Sequence, residues 1–467
     1  MQEFRMLIGG NLVDGAAAIE VVNPATSAPF AVAPRADAAQ LEAAVAAAKA
    51  AFGAWAATAL DQRRERLTVL AKALENDTDA FARLLTLEQG KPLPQAYGEV
   101  GGAVAALRAF AGMDVPLATL REGPEGRILR QRTPLGVTVA ITPWNFPLLL
   151  LMAKVGPALL AGNTVVAKPA PTTPLTTLRF GELCAKALPA GVMNVIIDAN
   201  DLGGALTAHP DVAKVAFTGS TATGRKVMAS AAGTLKRLTL ELGGNDPAIV
   251  LADADIAAVA PQIFLGATLA SGQICLAIKR VYAPSTLYGD LCDALADLAR
   301  RAVVGDGLDQ GVDIGPVQNR MQFDKLTGYL DDARAHGRVL TGGRPLDRPG
   351  WFIPPTIVRD IADDTRLVRE EQFGPVLPVL RYDDVDDAIA RANDTDYGLG
   401  ATIWTSDPER GLEVAMRLDA GAVWVNKFLE TPFDIGFYGA KQSGVGAGLG
   451  PEGLAEFTQA KVINIGA

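Results

Sequence analysis

The sequence is poor in the residues that build metal centres and disulfide frameworks. Its 467 residues include only three cysteines and two histidines. The cysteines, Cys184, Cys275 and Cys292, are too scattered to predict a zinc site or a set of disulfides. We therefore expect a chain with no resident metal that works in a reducing compartment.

Basic charge and long apolar segments are also scarce. The net charge is -9, whereas nucleic-acid binding needs a clustered basic surface. Residues 1–6 lack the basic start and apolar core of a secretion signal. The most apolar stretch, residues 147–167, is interrupted by Lys154, Pro157 and Asn163, which predicts a buried helix followed by a buried strand. We expect a cytoplasmic protein that binds neither nucleic acid nor membrane.

The order of apolar segments predicts an α/β protein with more than one domain. Short β-rich runs alternate with helical segments over residues 137–250, and a second alternating region follows residue 254. Such alternation is typical of parallel sheets covered by helices. The strands predicted for the first region are 137–141, 164–167, 193–197, 214–217 and 238–240.

Capping residues predict where two helices of the first region begin. Thr173 and Pro174 match an N-cap and a first helical residue, opening a helix that runs through Ala187. Ser220 or Thr221 opens another helix, which runs through Ala231.

Two predicted strands, residues 121–133 and 457–465, have few partners nearby in sequence. Strands left at an edge often pair with another subunit. They therefore indicate a homo-oligomer.

Cys275 is the candidate nucleophile. It follows Gly272 and Gln273 at the predicted end of a helix, where a tight turn can present a thiol and leave its own N–H free. A cysteine acts as a nucleophile in its thiolate form. The alternative is a small buried side chain, which we expect for Cys184 and Cys292.

Glu241 and Asn145 are the candidate helpers of this thiol. Glu241 ends a strand and precedes two glycines, at the edge where α/β active sites collect. Asn145 lies in a rigid apolar segment, between Trp144 and Phe146 and flanked by prolines. The alternatives are a solvated charge for Glu241 and a helix cap for Asn145.

A phosphate site is predicted where a glycine-rich turn precedes a helix, at residues 218–224. The turn lacks the Gly-x-Gly-x-x-Gly spacing of dinucleotide sites. Lys168 ends the neighbouring strand and could reach a ribose or phosphate, whereas an ordinary surface lysine is the alternative.

Taken in order, these motifs resemble those of the aldehyde dehydrogenase superfamily. The matching segments are 143–147 (PWNFP), 162–169 (GNTVVAKP), 217–221 (FTGST), 241–244 (ELGG), 272–275 (GQIC) and 371–375 (EQFGP). The resemblance implies an aldehyde dehydrogenase-like α/β fold with two parallel-sheet domains and a small oligomerisation sheet. It implies a dinucleotide-binding domain (1–120 and 134–250), a catalytic domain (251–440), bridging segments (121–133 and 441–467) and a homodimer or homotetramer.

The resemblance also implies roles for named residues. Cys275 would attack an aldehyde, Asn145 and the Cys275 N–H would hold the oxyanion, and Glu241 would activate the water that hydrolyses a thioester. The cofactor would be NAD or NADP, with NAD preferred. Its predicted contacts are Lys168 at the adenosine ribose, Ser220 at the pyrophosphate, Glu371 and Phe373 at the nicotinamide riboside, and Thr142, Pro143, Trp144, Gly203, Gly219 and Leu242 around them.

Several positions depart from the family pattern. Pro171 stands where relatives often carry a carboxylate that binds the ribose hydroxyls, and Ala270 replaces a usual asparagine. Tyr438 adds a large ring to a loop that is usually glycine-rich. Succinic semialdehyde dehydrogenases tend to carry arginines at the positions of Ala153 and Leu269. We therefore expect a neutral or apolar aldehyde as substrate.

Two alternative functions stay open. A CoA-acylating aldehyde dehydrogenase would pass the thioester to CoA, although such relatives commonly lack the base that Glu241 would supply. A catalytically idle relative, kept for structure or binding, is the other alternative.

Overall fold

The computed structural model describes residues 3–467 of the chain. The first two residues of the predicted signal-free N-terminus, Met1 and Gln2, lie outside the described residues. The helices are α1 (Ala38–Ala57), α2 (Leu60–Asn76), α3 (Thr78–Gln89), α4 (Leu93–Ala111), α5 (Pro147–Ala161), α6 (Leu175–Ala187), α7 (Gly203–Ala208), α8 (Thr221–Ala231), α9 (Ile256–Thr268), α10 (Tyr288–Arg301), α11 (Arg320–His336), α12 (Arg366–Arg369), α13 (Val385–Asn393), α14 (Pro408–Ala415) and α15 (Gly450–Ala455). Short 3₁₀ helices cover Ala232–Thr234 and Leu269–Gly272.

The strands alternate with these helices over most of the chain. They are β1 (Met6–Ile8), β2 (Asn11–Val13), β3 (Ala17–Asn23), β4 (Ala28–Arg35), β5 (Ala118–Gly123), β6 (Gly126–Pro134), β7 (Val137–Ile141), β8 (Thr164–Lys168), β9 (Met193–Val195), β10 (Val212–Thr218), β11 (Arg237–Glu241), β12 (Pro247–Val250), β13 (Arg280–Pro284), β14 (Arg338–Thr341), β15 (Thr356–Arg359), β16 (Val376–Tyr382), β17 (Tyr397–Gly398), β18 (Gly400–Trp404), β19 (Ala422–Val425), β20 (Phe437–Tyr438), β21 (Ala440–Lys441), β22 (Gly444–Val445), β23 (Ala447–Gly448) and β24 (Thr458–Gly466).

The first large sheet has the order β2-β1-β9-β8-β7-β10-β11-β22. Its five central strands run parallel, and antiparallel strands close both edges. Every residue of β7 and β8 is buried, as expected for parallel strands covered on both faces. The predicted alternation of strands and helices in this region is confirmed, and so is the buried helix α5 followed by the buried strand β8.

The second large sheet has the order β14-β15-β16-β13-β12-β18-β19 and is parallel except at β14. Successive residues of β12 point to opposite faces of the sheet. Ile249 packs in one hydrophobic cluster, whereas Ala248 and Val250 pack in another. The sheet is therefore covered by apolar side chains on both faces.

A three-stranded antiparallel sheet holds the two segments that had no predicted neighbours. The prediction of one strand over residues 121–133 is wrong, because a turn divides this segment between β5 and β6. β24 pairs with β6 along its whole length, and β5 pairs with the other edge of β6. The two segments therefore pair with each other within one chain. Pairing with a second subunit and the proposed domain boundaries stay predictions.

The predicted start of α6 is wrong, whereas that of α8 is confirmed. Helix α6 begins at Leu175, and its first backbone N–H groups are capped by a distant carboxylate rather than by Thr173. Glu88 accepts hydrogen bonds from the N–H groups of Leu175 at 2.7 Å and Thr176 at 3.1 Å. Ser220 caps α8 locally, by accepting from the Thr223 N–H.

Within residues 3–467, no helix combines the length and the apolar character needed to cross a membrane. The cytoplasmic location stays a prediction.

Candidate active site

The candidate residues gather because four parallel strands end at one edge of the first sheet. In register, Ile141 of β7 lies beside Lys168 of β8 and Phe217 of β10, and Thr218 lies beside Glu241 of β11. The segments after β7 and β10 therefore begin next to the ends of β8 and β11. This is the edge at which open α/β sheets bind their ligands.

A cavity of about 730 Å³ lies at this edge, a volume typical of small-molecule sites. The predicted site residues in its wall are Asn145, Cys275, Thr142, Pro143, Trp144, Lys168, Gly203, Gly219, Ser220, Leu242, Glu371 and Phe373. Glu241 is the predicted residue that does not line it, although its neighbour Leu242 does. The structure thus brings together segments from distant parts of the sequence.

Cys275 follows a turn of unusual backbone conformation. Ala270, Ser271 and Gly272 all have positive φ, at 49°, 58° and 70°, a region in which alanine is uncommon. Cys275 itself is partly exposed, whereas Cys184 and Cys292 are buried, as predicted. Among the described residues, no acceptor receives a hydrogen bond from the Cys275 N–H. The turn therefore presents both the thiol and a free donor.

Asn145 is buried and oriented by contacts on both sides. Its Nδ2 donates to the Gln273 carbonyl at 2.9 Å, and Lys91 Nζ donates to the Asn145 carbonyl at 2.9 Å. An amide nitrogen carries two hydrogens, so one stays available for a substrate oxygen. The side chain therefore joins the segment after β7 to the turn that carries Cys275.

Glu241 lies close to a buried lysine. Burial raises the pKa of Glu241 to about 7, and the charge of Lys154 opposes this rise. Burial likewise lowers the pKa of Lys154 to about 8, opposed by the charges of Glu241 and Cys275. The Lys154 ammonium donates to Thr218 Oγ1 at 2.5 Å. A carboxyl with a pKa near 7 can take up and release a proton near neutral pH.

The thiol of Cys275 lies in surroundings that favour its neutral form. Burial raises its pKa to about 12, and the ammonium of Lys279 is the first group to oppose that rise. The thiolate needed for attack therefore depends on nearby positive charge or on a base.

The cavity fits a dinucleotide at both ends. At one end the Trp144 and Phe373 rings meet edge to face at 5.3 Å, and Glu371 Oε1 accepts from the Gly244 N–H at 3.0 Å. A side chain at Gly243 would come within 2.5 Å of Glu371 Oε2, so a larger residue there would displace this carboxylate. At the other end the N-terminus of α8, capped by Ser220, can hold a phosphate.

The sequence model of the aldehyde dehydrogenase family matches residues 12–463.

The chain belongs to the aldehyde dehydrogenase family.

Individual relatives of this family agree along nearly the full length. A mitochondrial aldehyde dehydrogenase of Leishmania tarentolae is 39% identical, over 98% of this chain and 94% of the relative. An aldehyde dehydrogenase from Bacillus cereus, solved as an NAD+ complex, superposes with a TM-score of 0.97 at 35% identity, covering 100% of this chain and 97% of that one. An NADP-dependent enzyme from E. coli superposes with a TM-score of 0.96 at 37% identity, covering 99% and 98%. The predicted α/β aldehyde dehydrogenase fold and enzyme class are confirmed.

Several buried charged residues of this aldehyde dehydrogenase site are not predicted from the sequence. Lys154 shows in the sequence only as an interruption of an apolar run. Lys91 forms a fully buried ion pair with Glu99, which also accepts from the Leu148 N–H at 2.9 Å. The one available signal for Lys154 is a charge within an apolar helix, which is rare unless the charge is paired.

Proposed function

We propose that this chain oxidises a neutral or apolar aldehyde to the carboxylic acid with NAD(P)+, through a covalent adduct on Cys275. The observation that carries the proposal is the meeting of Cys275 and Asn145 in the wall of one cavity with Trp144, Glu371 and Phe373. The membership of the family gives the general reaction.

Attack by the Cys275 thiolate forms a carbon–sulfur bond, and the carbonyl electron pair moves to the oxygen. The second hydrogen of Asn145 Nδ2 and the free N–H of Cys275 are the donors available for that oxyanion. The hydrogen bond from Asn145 to the Gln273 carbonyl holds the amide in place beforehand. When bound, a nicotinamide would supply the acceptor for the hydride, and loss of that hydride would leave a thioester on Cys275.

Glu241 is proposed to act in hydrolysis of the thioester. Its carboxylate takes a proton from water, the water oxygen bonds to the acyl carbon, and the carbon–sulfur bond breaks to return the thiolate. The neighbouring Lys154 favours the carboxylate form of Glu241. The acid leaves, and the proton passes to solvent.

We propose that both cofactors bind, with NAD preferred. Around Lys168 the cavity wall consists of Ala170, Asn200, Gly203, Gly204, Thr207, Lys226 and Ser230, without a carboxylate among the described residues. A 2′-phosphate is therefore not repelled. It also gains little attraction, because Asp198 pairs with Lys168 at 2.6 Å and Lys226 is exposed to solvent.

A Pro171→Glu variant tests this cofactor argument. A carboxylate at the adenosine end of the cavity should lower kcat/KM for NADP by at least about tenfold, because it would repel the 2′-phosphate of that cofactor. The value for NAD should change little. Steady-state kinetics with both cofactors measure the ratio, and Pro171→Gln is the uncharged control. An equal loss with both cofactors would contradict the argument.

The substrate class is proposed from the apolar side chains near the thiol. Ala270, Ile274 and Ala277 form a small buried cluster, and Phe146, Leu269, Leu276 and Leu429 pack against it. Nearby Lys427 is paired with Glu430 at 2.7 Å. An anionic tail therefore has no evident partner among these residues.

An aldehyde panel tests the proposed function directly. We expect hexanal or benzaldehyde to exceed succinic semialdehyde in kcat/KM by at least about tenfold, because an unpaired carboxylate in an apolar pocket is costly. NADH and NADPH absorbance provide the measurement, with and without CoA. A preference for succinic semialdehyde would overturn the substrate class, and a requirement for CoA would favour an acylating enzyme.

The three-stranded sheet is the proposed subunit contact. Val462 on β24 is 58% exposed, and Leu117 and Leu120 near β5 are 59% and 51% exposed. Exposed apolar residues beside a free strand edge suit pairing with a second copy. A dimer or tetramer in sedimentation velocity is the expected result, and a monomer would contradict it.

A further inference from the structure

Lys279 is a buried cation for which the proposed reaction has no role. Its residue is 1% exposed, and it lies between the segment of Cys275 and the strand β13. A lysine is rarely buried so fully unless its ammonium is paired. Its contacts therefore indicate what it does.

The ammonium of Lys279 binds the backbone around Cys275. Nζ donates to the carbonyl oxygens of Cys275 at 2.5 Å, Ile274 at 3.0 Å and Ala277 at 3.3 Å. An ammonium has three hydrogens, so these acceptors use its full donor capacity. One side chain thus fixes the segment that carries the thiol.

The same ammonium lies close to the carboxylate at the nicotinamide end of the cavity. Lys279 Nζ is 3.8 Å from Glu371 Oε1, the oxygen that accepts from the Gly244 N–H. Burial raises the pKa of Glu371, and Lys279 is the first group to oppose this rise. The charge of the lysine therefore favours the ionised form of this carboxylate.

The other charges that act on this group come from several elements. The buried Asp246, which precedes β12, has its pKa raised to about 7 by burial, again opposed first by Lys279. Lys325 of α11 lies on the far side of Glu371 and donates to its carbonyl at 3.0 Å. Arg280 also acts on Asp246, and Glu241 acts on the thiol of Cys275. Lys279 is thus the cation that is in contact with the thiol segment and with Glu371 alike.

We propose that Lys279 is a positioning residue that couples the Cys275 segment to Glu371, so that thiol ionisation and cofactor binding both depend on its charge. The proposal rests on the proposed function for the meaning of Glu371 as a cofactor contact. Lys279 would act through other groups, since its own side chain does not line the cavity. Two measurements therefore have to change together.

The test uses full-length Lys279→Met. At a fixed pH of about 8, alkylation of Cys275 by iodoacetamide should slow about tenfold, because a cation next to a thiol favours the thiolate. The dissociation constant of NAD+, followed by quenching of tryptophan fluorescence, should rise about tenfold, the size of a typical coupling between two sites. Lys279→Arg, which keeps the charge, should restore most of the wild-type alkylation rate of Cys275.

A matched control separates positioning from folding. Lys214 is another fully buried lysine, which donates to Thr239 Oγ1 at 2.7 Å on the first sheet. Lys214→Met should lower the melting temperature but leave the alkylation rate of Cys275 and the dissociation constant of NAD+ unchanged. If Lys279→Met does not fold, Lys279→Gln carries the same test, because it keeps a donor and removes the charge.

A double variant tests the link to Glu371. If Lys279 acts on the cofactor through Glu371, Lys279→Met combined with Glu371→Gln should bind NAD+ no more weakly than Glu371→Gln alone. Additive effects, or a Lys279→Met variant that behaves like Lys214→Met, would overturn the proposal. Wild-type aldehyde oxidation is measured separately, so its absence would count against the proposed function and not against this coupling.

Discussion

The Cys275→Ala variant should lose aldehyde oxidation by at least about 10⁴-fold in kcat, because no covalent adduct can form without the thiol. The protein should still fold, since Cys275 is partly exposed and belongs to no regular element. It should also still bind NAD+. Production of NADH with hexanal measures the oxidation, and quenching of tryptophan fluorescence measures NAD+ binding.

The other two cysteines provide matched controls. Cys184 and Cys292 are buried and, unlike Cys275, lie outside the cavity wall. Cys184→Ala and Cys292→Ala should therefore change stability more than activity. Activity of Cys275→Ala within about tenfold of wild type, or loss of activity in a folded Cys184→Ala variant, would contradict the assignment of the nucleophile.

The Glu241→Gln variant should release one equivalent of NADH in a burst and then stall. Hydride transfer does not need the carboxylate, whereas loss of a general base should slow thioester hydrolysis about 10²- to 10⁴-fold. The wild-type hydrolysis rate should rise with pH through about 7, because the base is the deprotonated form and burial raises its pKa to about 7. In Glu241→Gln the hydrolysis rate should no longer rise with pH in this range. Stopped-flow absorbance across pH 5.5 to 9, a range set about the pKa, records both effects.

Glu88 offers the matched control for Glu241. It is also a carboxyl with a pKa raised to about 7 by burial, but it caps helix α6 through the N–H groups of Leu175 and Thr176. Glu88→Gln should lower the stability of the fold. The ratio of the NADH burst rate to the steady-state rate should stay as in the wild type. Equal slowing of the burst and the steady phase in Glu241→Gln would contradict the role of Glu241 in hydrolysis.

The fold could be predicted where local pattern and tertiary structure agree. Continuous apolar runs between helices locate β7, β8 and β10 well, because buried parallel strands need such runs. No element is predicted for Leu93–Ala111, which forms helix α4 although it contains Pro94 and three glycines. Packing decides there: α4 contacts α2 and α5 extensively, and a side chain at Gly156 would lie 2.7 Å from the Phe110 ring. Close helix packing outweighs poor helix propensity.

Helix α6 shows the same limit at a single cap. The local pair Thr173 and Pro174 matches a helix start, yet Glu88 supplies the cap from 87 residues away. A capping side chain satisfies orphan N–H groups wherever in the sequence it comes from. Sequence spacing alone cannot find such a partner.

The site residues that could be predicted are those that stand in recognisable sequence motifs. Cys275, Asn145 and Glu241 stand in short distinctive segments, and the structure places Asn145 and Cys275 in one cavity wall. The buried lysines that orient them have no such signal. Lys91 and Lys279 look like ordinary surface residues in the sequence, because their roles arise from contacts such as the one between Lys91 and the Asn145 carbonyl, 54 residues apart. Their burial is visible only in three dimensions.

The central claim is that an acyl group is carried on the sulfur of Cys275. Mass spectrometry of Glu241→Gln, mixed with benzaldehyde and NAD+ and quenched in acid during the stall, tests it most directly. We predict a benzoyl group on the peptide that contains Cys275, in an amount equal to the NADH released in the burst. NADH release with no acyl group on Cys275, or with the acyl group on another residue, would contradict it.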